Sequence, residues 1–175
     1  MKRLDLEHII RAASGITRRT DFNILGSQAL LASHPDAPAD LLVSVEVDLY
    51  PRDHPDDSIL IDGAIGEASI FHDTFGYYAH GVGPETATLP RGWEGRLVPI
   101  RSENTGGATG WCLEVHDLAA SKLVAGRPKD LEFVGALVRH RLVEAKVIEE
   151  RIAATPIDPE ILELCRSRLR RLRGV

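Results

Sequence analysis

Two acidic residues, Glu46 and Asp48, occupy alternate positions in the segment Ser44-Val45-Glu46-Val47-Asp48-Leu49. Residues two apart on a strand lie roughly 6–7 Å apart at Cα and project from the same face. Two carboxylates held that way repel each other, and desolvating both is unfavourable unless a cation joins them. Mg²⁺ takes oxygen ligands at about 2.0–2.1 Å, commonly one or two carboxylates plus substrate phosphates. The pair therefore points to a divalent cation, Mg²⁺ or Mn²⁺. The competing explanation is a solvated polar strand face, since 26 acidic residues make such pairs easy to come by.

About twenty residues upstream lies Gly26-Ser27, at the end of the strand-like run Phe22-Asn23-Ile24-Leu25 and before Gln28-Ala29-Leu30-Leu31-Ala32. A strand that ends in Gly-Ser and runs into a helix presents backbone N–H groups and the positive end of a helix dipole. Glycine lets a phosphate approach the backbone, and the serine hydroxyl can donate to it. Taken alone, the pair is equally an ordinary turn with Ser27 as a helix cap. A phosphate cradle followed by a carboxylate strand is more specific than either part.

The elements that must position these residues follow from periodicity. Leu4, Leu6, Ile9, Ile10 and Ala13 recur at helical spacing, with Gly15 as an expected stop. Val43 to Tyr50 alternates cleanly: Val43, Val45, Val47 and Leu49 on one face, Ser44, Glu46, Asp48 and Tyr50 on the other. A helix is expected over Asp56 to Ala68 and a strand over Tyr77 to Val82. Two further strands, Arg96 to Ile100 and Gly110 to Val115, are joined by the glycine-containing Asn104 to Gly107. Asp117 is placed to cap a helix through Val124 that Gly126 closes. Pro128 opens a helix read as continuing through Ile152, and Asp158-Pro159 starts the last one. The order predicts an α+β fold, a core over 1–140 with a helical C-terminal extension over 141–175.

Bulk properties narrow the function classes. A net charge of −5 argues against a protein that coats nucleic acid through global charge. Cys112 and Cys165 stand alone in sequence, in no metal-ligand spacing and too few for a disulfide framework, which fits a reducing cytoplasm. The first residues are too acidic for a signal peptide, and no stretch approaches the roughly 18 apolar residues of a membrane span. The histidines lack His-Glu-x-x-His spacing, Cys165 has no nearby histidine, Cys112 has only His116 four residues on, and no Gly-Lys-Ser/Thr occurs. A zinc hydrolase, a thiolate enzyme and a P-loop are thereby disfavoured. Trp93, Trp111, Tyr77 and Tyr78 could stack on a base, with core or turn packing the plainer role.

The runs Phe22 to Leu30 and Ser44 to Leu49 resemble the first two motifs of the DNA polymerase β-like nucleotidyltransferase superfamily. Asp117-Leu118-Ala119-Ala120-Ser121-Lys122-Leu123 and Arg127-Pro128-Lys129-Asp130-Leu131 resemble the last two motifs of its AbiEii/MenT toxin branch. The similarity covers roughly residues 20 to 140. It implies a nucleotidyltransferase-type core, a short mixed sheet flanked by helices, that binds a nucleoside triphosphate (NTP) with Mg²⁺. Gly26 and Ser27 would contact the triphosphate, and Glu46 and Asp48 would hold the metal. Lys122 would neutralise phosphate charge, and Asp130 would serve as an acid or base. Some toxins of this branch add nucleotides to the 3′ end of tRNA and are paired with an antitoxin. Two departures stand out: Glu46 replaces the usual aspartate, and Gln28 replaces a basic residue.

Those departures also suit a catalytically weak or inactive nucleotide-binding or protein-interaction module of the same fold. Lys122 and Asp130 have a structural alternative too, as charges that complement helix dipoles. Glu114, before a helix, is a spare third carboxylate or a solvated strand residue. Five arginines between Arg166 and Arg173 could contact an RNA backbone, dock an acidic partner, or form a solvated helix end.

Overall fold

The computed structural model describes residues 1–174, and Val175 lies outside the described residues. The architecture is α+β, with a short mixed sheet and a helical C-terminal portion as expected. In chain order the elements are α1 (Arg3–Thr17), β1 (Asp21–Ile24), β2 (Glu46–Pro51), α2 (Ser58–Ile65), α3 (Ile70–Phe75) and β3 (Tyr78–Gly81). There follow β4 (Val98–Ile100), β5 (Thr109–Cys112), α4 (Val115–Ala125), α5 (Pro128–Arg139), α6 (Ala145–Ala153) and α7 (Pro159–Arg173). Two compact units emerge: Met1–Thr86 with Leu97–Leu113, and Ala87–Arg96 with Glu114 onward. No helix among the described residues is long and apolar enough to cross a membrane.

The first unit holds the five-stranded sheet, in the order β3-β2-β1-β5-β4. The pairs β1–β5 and β2–β3 are parallel, and β1–β2 and β4–β5 are antiparallel. Leu6, Ile9, Ile10 and Ala13 form the buried stripe of α1, as their spacing requires. That helix runs past Gly15 to Thr17, because a mid-helix glycine costs only about 1 kcal/mol. It ends where Arg18 turns left-handed (φ 56°) and donates its N–H to the Ser14 carbonyl at 2.8 Å.

Strand β2 is shorter than its alternation predicts. Val47 and Leu49 are fully buried, but Val43 is 76% exposed and no strand forms before Glu46. The Gln28 side-chain amide takes the Ser44 carbonyl at 2.9 Å, so that acceptor is used outside the sheet ladder. Ser27–Ala32 is a six-residue 3₁₀ segment rather than the expected α-helix. Its Ala29, Leu30 and Leu31 are buried, and Pro35 disfavours helical backbone at His34, so the segment stays short. Helix α2 is likewise shorter than predicted, preceded by a 3₁₀ turn at Pro55–Asp57 and stopped at Gly66. Helix α3 was not anticipated, although Ser69 caps it by accepting from the His72 N–H at 3.1 Å and left-handed Gly76 closes it.

In the second unit α4 packs against α5, α6 and α7. Glu114, not Asp117, is the N-cap of α4: its carboxylate accepts from the His116 N–H (3.1 Å) and the Asp117 N–H (3.4 Å). Asp117 is instead fully buried, taking two hydrogen bonds from Arg96 (2.8 and 3.0 Å). Arg151 Nε stands 3.0 Å from Asp117 Oδ1, an oxygen it shares with Arg96, as an ion pair without hydrogen-bond geometry. The single helix expected from Pro128 to Ile152 is two helices. Arg141 turns left-handed (φ 57°) and the Leu142 N–H bonds back to the Leu137 carbonyl at 3.0 Å, a helix stop made without glycine.

The arginine-rich end is largely engaged in its own structure. Arg168 donates to the carbonyls of Leu123 (2.6 Å) and Val124 (3.4 Å) at the end of α4. It does so across Gly126, where a Cβ would collide with its guanidinium and where φ is +64°. Arg166 and Arg170 both pair with Glu163. Three of the five arginines thus have partners inside their own unit, which weakens the reading of this helix as a phosphate-binding strip.

Removing the carboxylate that holds Arg96 and Arg151 leaves two guanidinium groups without their counter-charge. Asp117→Ala is expected to destabilise the protein by about 3 kcal/mol, read as a lower urea midpoint by far-UV circular dichroism.

Candidate active site

Strand β2 does place its two acids on one face. Val47 and Leu49 enter the core while Glu46 and Asp48 remain half-buried. The turn at Gly26 lies directly against them. A Cβ built on Gly26 would run into Asp48 Oδ2, and the backbones are tied by the Leu25 N–H to the Asp48 carbonyl at 3.0 Å. Gly26 itself is in ordinary extended backbone (φ −77°), so glycine is required here for proximity rather than for conformation. The structure thus brings Gly26, Ser27, Glu46 and Asp48 into one neighbourhood. The six-residue 3₁₀ segment after Gly26 carries a smaller dipole than the α-helix expected there.

Sequence reasoning missed His80. It lies on β3 directly opposite Asp48, in the register that pairs Glu46 with Tyr78. Its Nδ1 is 3.0 Å from Asp48 Oδ1 and 3.9 Å from Glu46 Oε1. Glu46, Asp48 and His80 can each offer one ligand atom, all within 4.8 Å of one another. Two carboxylates and an imidazole so close together suit a divalent cation bound partly by substrate oxygens. No signal within the chain could have singled out this histidine, because cross-strand register is a property of the sheet.

Tyr78 settles what the longer arm of Glu46 does. Its hydroxyl donates to Glu46 Oε2 at 2.8 Å, fixing one carboxylate oxygen. Burial, then the hydrogen bond and the charge of Glu46, push the Tyr78 phenol well above its ordinary range, so it remains a donor. Gln28 is buried, with its amide nitrogen on the Ser44 carbonyl and its Oε1 without a partner. It braces the chain leading into β2. The Asp48 carboxyl is raised above its usual range by burial first and by the Glu46 charge second, with His80 opposing. A bound cation would oppose that shift by stabilising the ionised carboxylate.

Lys122 and Asp130 are brought together in the second unit. Lys122 Nζ lies 2.9 Å from Asp130 Oδ1 and 5.0 Å from the centre of the Phe133 ring. Arg127 Nε lies 2.6 Å from Asp130 Oδ2. Burial would raise the Asp130 carboxyl, but its hydrogen bonds to Arg127 and Lys122 outweigh that and hold it below its ordinary range. Glu114, the spare third carboxylate, caps α4 and also meets His116 Nδ1 at 2.6 Å. Among the aromatic candidates, Trp111 donates to Asp21 at 2.8 Å beneath Arg52, and Tyr77 joins the His8, Phe71 and Phe75 ring cluster.

A mixed five-stranded sheet with paired carboxylates on one strand and a Gly-Ser turn beside them is a nucleotidyltransferase-type fold. Residues 4–163 match the family described as "Nucleotidyltransferase of unknown function (DUF6036)", and the chain belongs to that family. No curated protein and no solved structure matches the chain. Nucleotidyltransferases typically act on an NTP with a divalent metal, and among the described residues Glu46, Asp48 and His80 are grouped so that they could hold one.

Two outcomes test this geometry. Gly26→Ala should fold with nearly unchanged stability, because the carboxylate in its way is the end of a movable side chain. The displaced Asp48 should weaken divalent-cation binding by about tenfold or more, measured by calorimetric titration. The raised Asp48 carboxyl means that the folded protein binds that proton more tightly than the unfolded chain does. Stability from this group is therefore lost as pH rises through the raised value. Asp48→Asn should melt at a higher temperature than wild type at neutral pH in chelator, and the gain should vanish on acidification below the ordinary carboxylate range.

Proposed function

We propose that the chain transfers a nucleoside monophosphate from an NTP to an acceptor hydroxyl, using a divalent cation held by Glu46 and Asp48. The observation that carries this reading is the contact between the Gly26 turn and the Asp48 carboxylate. Bound there, the cation would neutralise charge on the α-phosphate and lower the pKa of the attacking hydroxyl.

The chain's own residues would divide the remaining work. Gly26 leaves room for phosphate oxygens beside Asp48, and the Ser27 hydroxyl can donate to them. Tyr78 holds Glu46 in one orientation. The acceptor oxygen attacks the α-phosphorus, the bond to the bridging oxygen breaks, and pyrophosphate leaves. By resemblance, Asp130 takes the acceptor's proton and Lys122 meets the departing phosphates. Both roles require the Lys122–Asp130 ion pair to open.

The order of the four motifs supports a place on the AbiEii/MenT toxin branch, with the 3′ end of tRNA as acceptor and an antitoxin as partner. The free, buried Cys112 and Cys165 suit a reducing cytoplasm. A second reading, the weak or inactive module, is favoured by Gln28, whose buried amide stands where a phosphate-binding basic residue would be.

Purified protein incubated with each α-labelled NTP, Mg²⁺ or Mn²⁺, and total RNA should label tRNA. Loss of a metal contribution of several kcal/mol makes Asp48→Ala slower by at least about 100-fold. NTP binding without label transfer under every nucleotide and metal would leave the inactive module as the correct account.

A further inference from the structure

We propose that His80 is a third ligand of the cation site, and that its nitrogen biases the site toward Mn²⁺ over Mg²⁺. The inference rests on the reading of Glu46 and Asp48 as metal ligands. It goes beyond that reading by naming which of Mg²⁺ and Mn²⁺ this chain's donor set prefers.

Three observations converge on His80. First, it stands opposite Asp48 across the β2–β3 ladder, a position set by backbone register rather than by a flexible loop. Second, its side chain is half-exposed on the edge strand, so core packing does not call for an imidazole there. Third, its Nδ1 faces oxygens of both carboxylates, at 3.0 Å from Asp48 and 3.9 Å from Glu46. Tyr78 meanwhile holds Glu46 Oε2, and Oε1 is the oxygen nearer His80.

The chemistry of that donor set separates the two ions. Mg²⁺ is small and hard, demands near-octahedral oxygen ligands and gives up water reluctantly. Imidazole nitrogen is a poor exchange for a water on Mg²⁺. Mn²⁺ accepts carboxylate and phosphate oxygens equally well, and gains more from a nitrogen donor because it is larger and softer. A site with oxygen donors alone would keep Mg²⁺ competitive at cellular concentrations; one with a resident imidazole shifts the ratio toward Mn²⁺.

The experiment uses the full chain, stripped with chelator and titrated with Mn²⁺ alone, without nucleotide. Bound ion is read from loss of the free Mn²⁺ electron paramagnetic resonance signal, and Mg²⁺ is added as competitor. Pulsed resonance reports whether a ¹⁴N nucleus is coupled to the bound ion. Wild type should show ¹⁴N coupling and need an excess of Mg²⁺ for displacement. His80→Ala should lose the coupling and at least about tenfold in Mn²⁺ affinity, with Mg²⁺ affinity within about twofold. His80→Asp, which restores an oxygen donor, should bind Mg²⁺ more tightly than wild type and lower the Mn²⁺ to Mg²⁺ affinity ratio. Circular dichroism confirms that each variant is folded. Bound Mn²⁺ without ¹⁴N coupling, or an unchanged ratio in His80→Ala, overturns the inference while Asp48-dependent binding leaves the metal site standing. Ion binding that ignores Asp48→Ala, or no binding by wild type, overturns both together.

Discussion

Two like charges on one strand face, pressed against a turn that carries no side chain, are the constraint around which the first unit is arranged. Alternation along β2 commits Val47 and Leu49 to the core and thereby commits Glu46 and Asp48 to the other side. Nothing in that alternation relieves the repulsion between them. Relief comes from the neighbouring strand, where Tyr78 donates to one acid and His80 faces both. What remains is a carboxyl raised by burial and by its neighbour, an arrangement that a divalent cation stabilises.

The second unit handles buried charge in the opposite way. Asp117 and Asp130 are both fully buried, and each is met by two cationic side chains. Such carboxylates have their counter-charge built in and serve to hold segments together: Asp117 joins α4 to α6 and to the segment bearing Arg96. Asp48, by contrast, is set beside another carboxylate and an imidazole whose charge depends on protonation. The difference is between carboxylates neutralised by fixed cations and a carboxylate that has none among the described residues.

Small side-chain choices near the site have specific mechanical consequences. Gln28, in a position where a basic residue would reach toward phosphate, is turned inward to brace Ser44 just ahead of Glu46. Gly26 keeps the space beside Asp48 open. The extra methylene of Glu46 is taken up by a hydrogen bond to Tyr78 on the next strand. A substrate phosphate entering beside Gly26 would therefore meet a site shaped mainly by one turn and two strands.

Periodicity alone determined much of this: the stripe of α1, the two-faced β2, the hairpin of β4 and β5, and the helical C-terminal portion. It did so because burial acts on the spacing of apolar residues along a single element. The Gly26-Ser27 turn and the carboxylate pair were legible for the same reason, as local patterns. Only the tertiary structure decided where elements stop when no glycine or proline marks the place. Arg141 ends α5 by adopting a backbone state that its residue type does not announce. Three-dimensional pairing also decided that Arg168 caps α4, that Glu114 rather than Asp117 caps it, and that His80 belongs beside Asp48. Each of these depends on groups distant in sequence meeting at hydrogen-bond range, and strand register or helix packing, not local propensity, sets who meets whom.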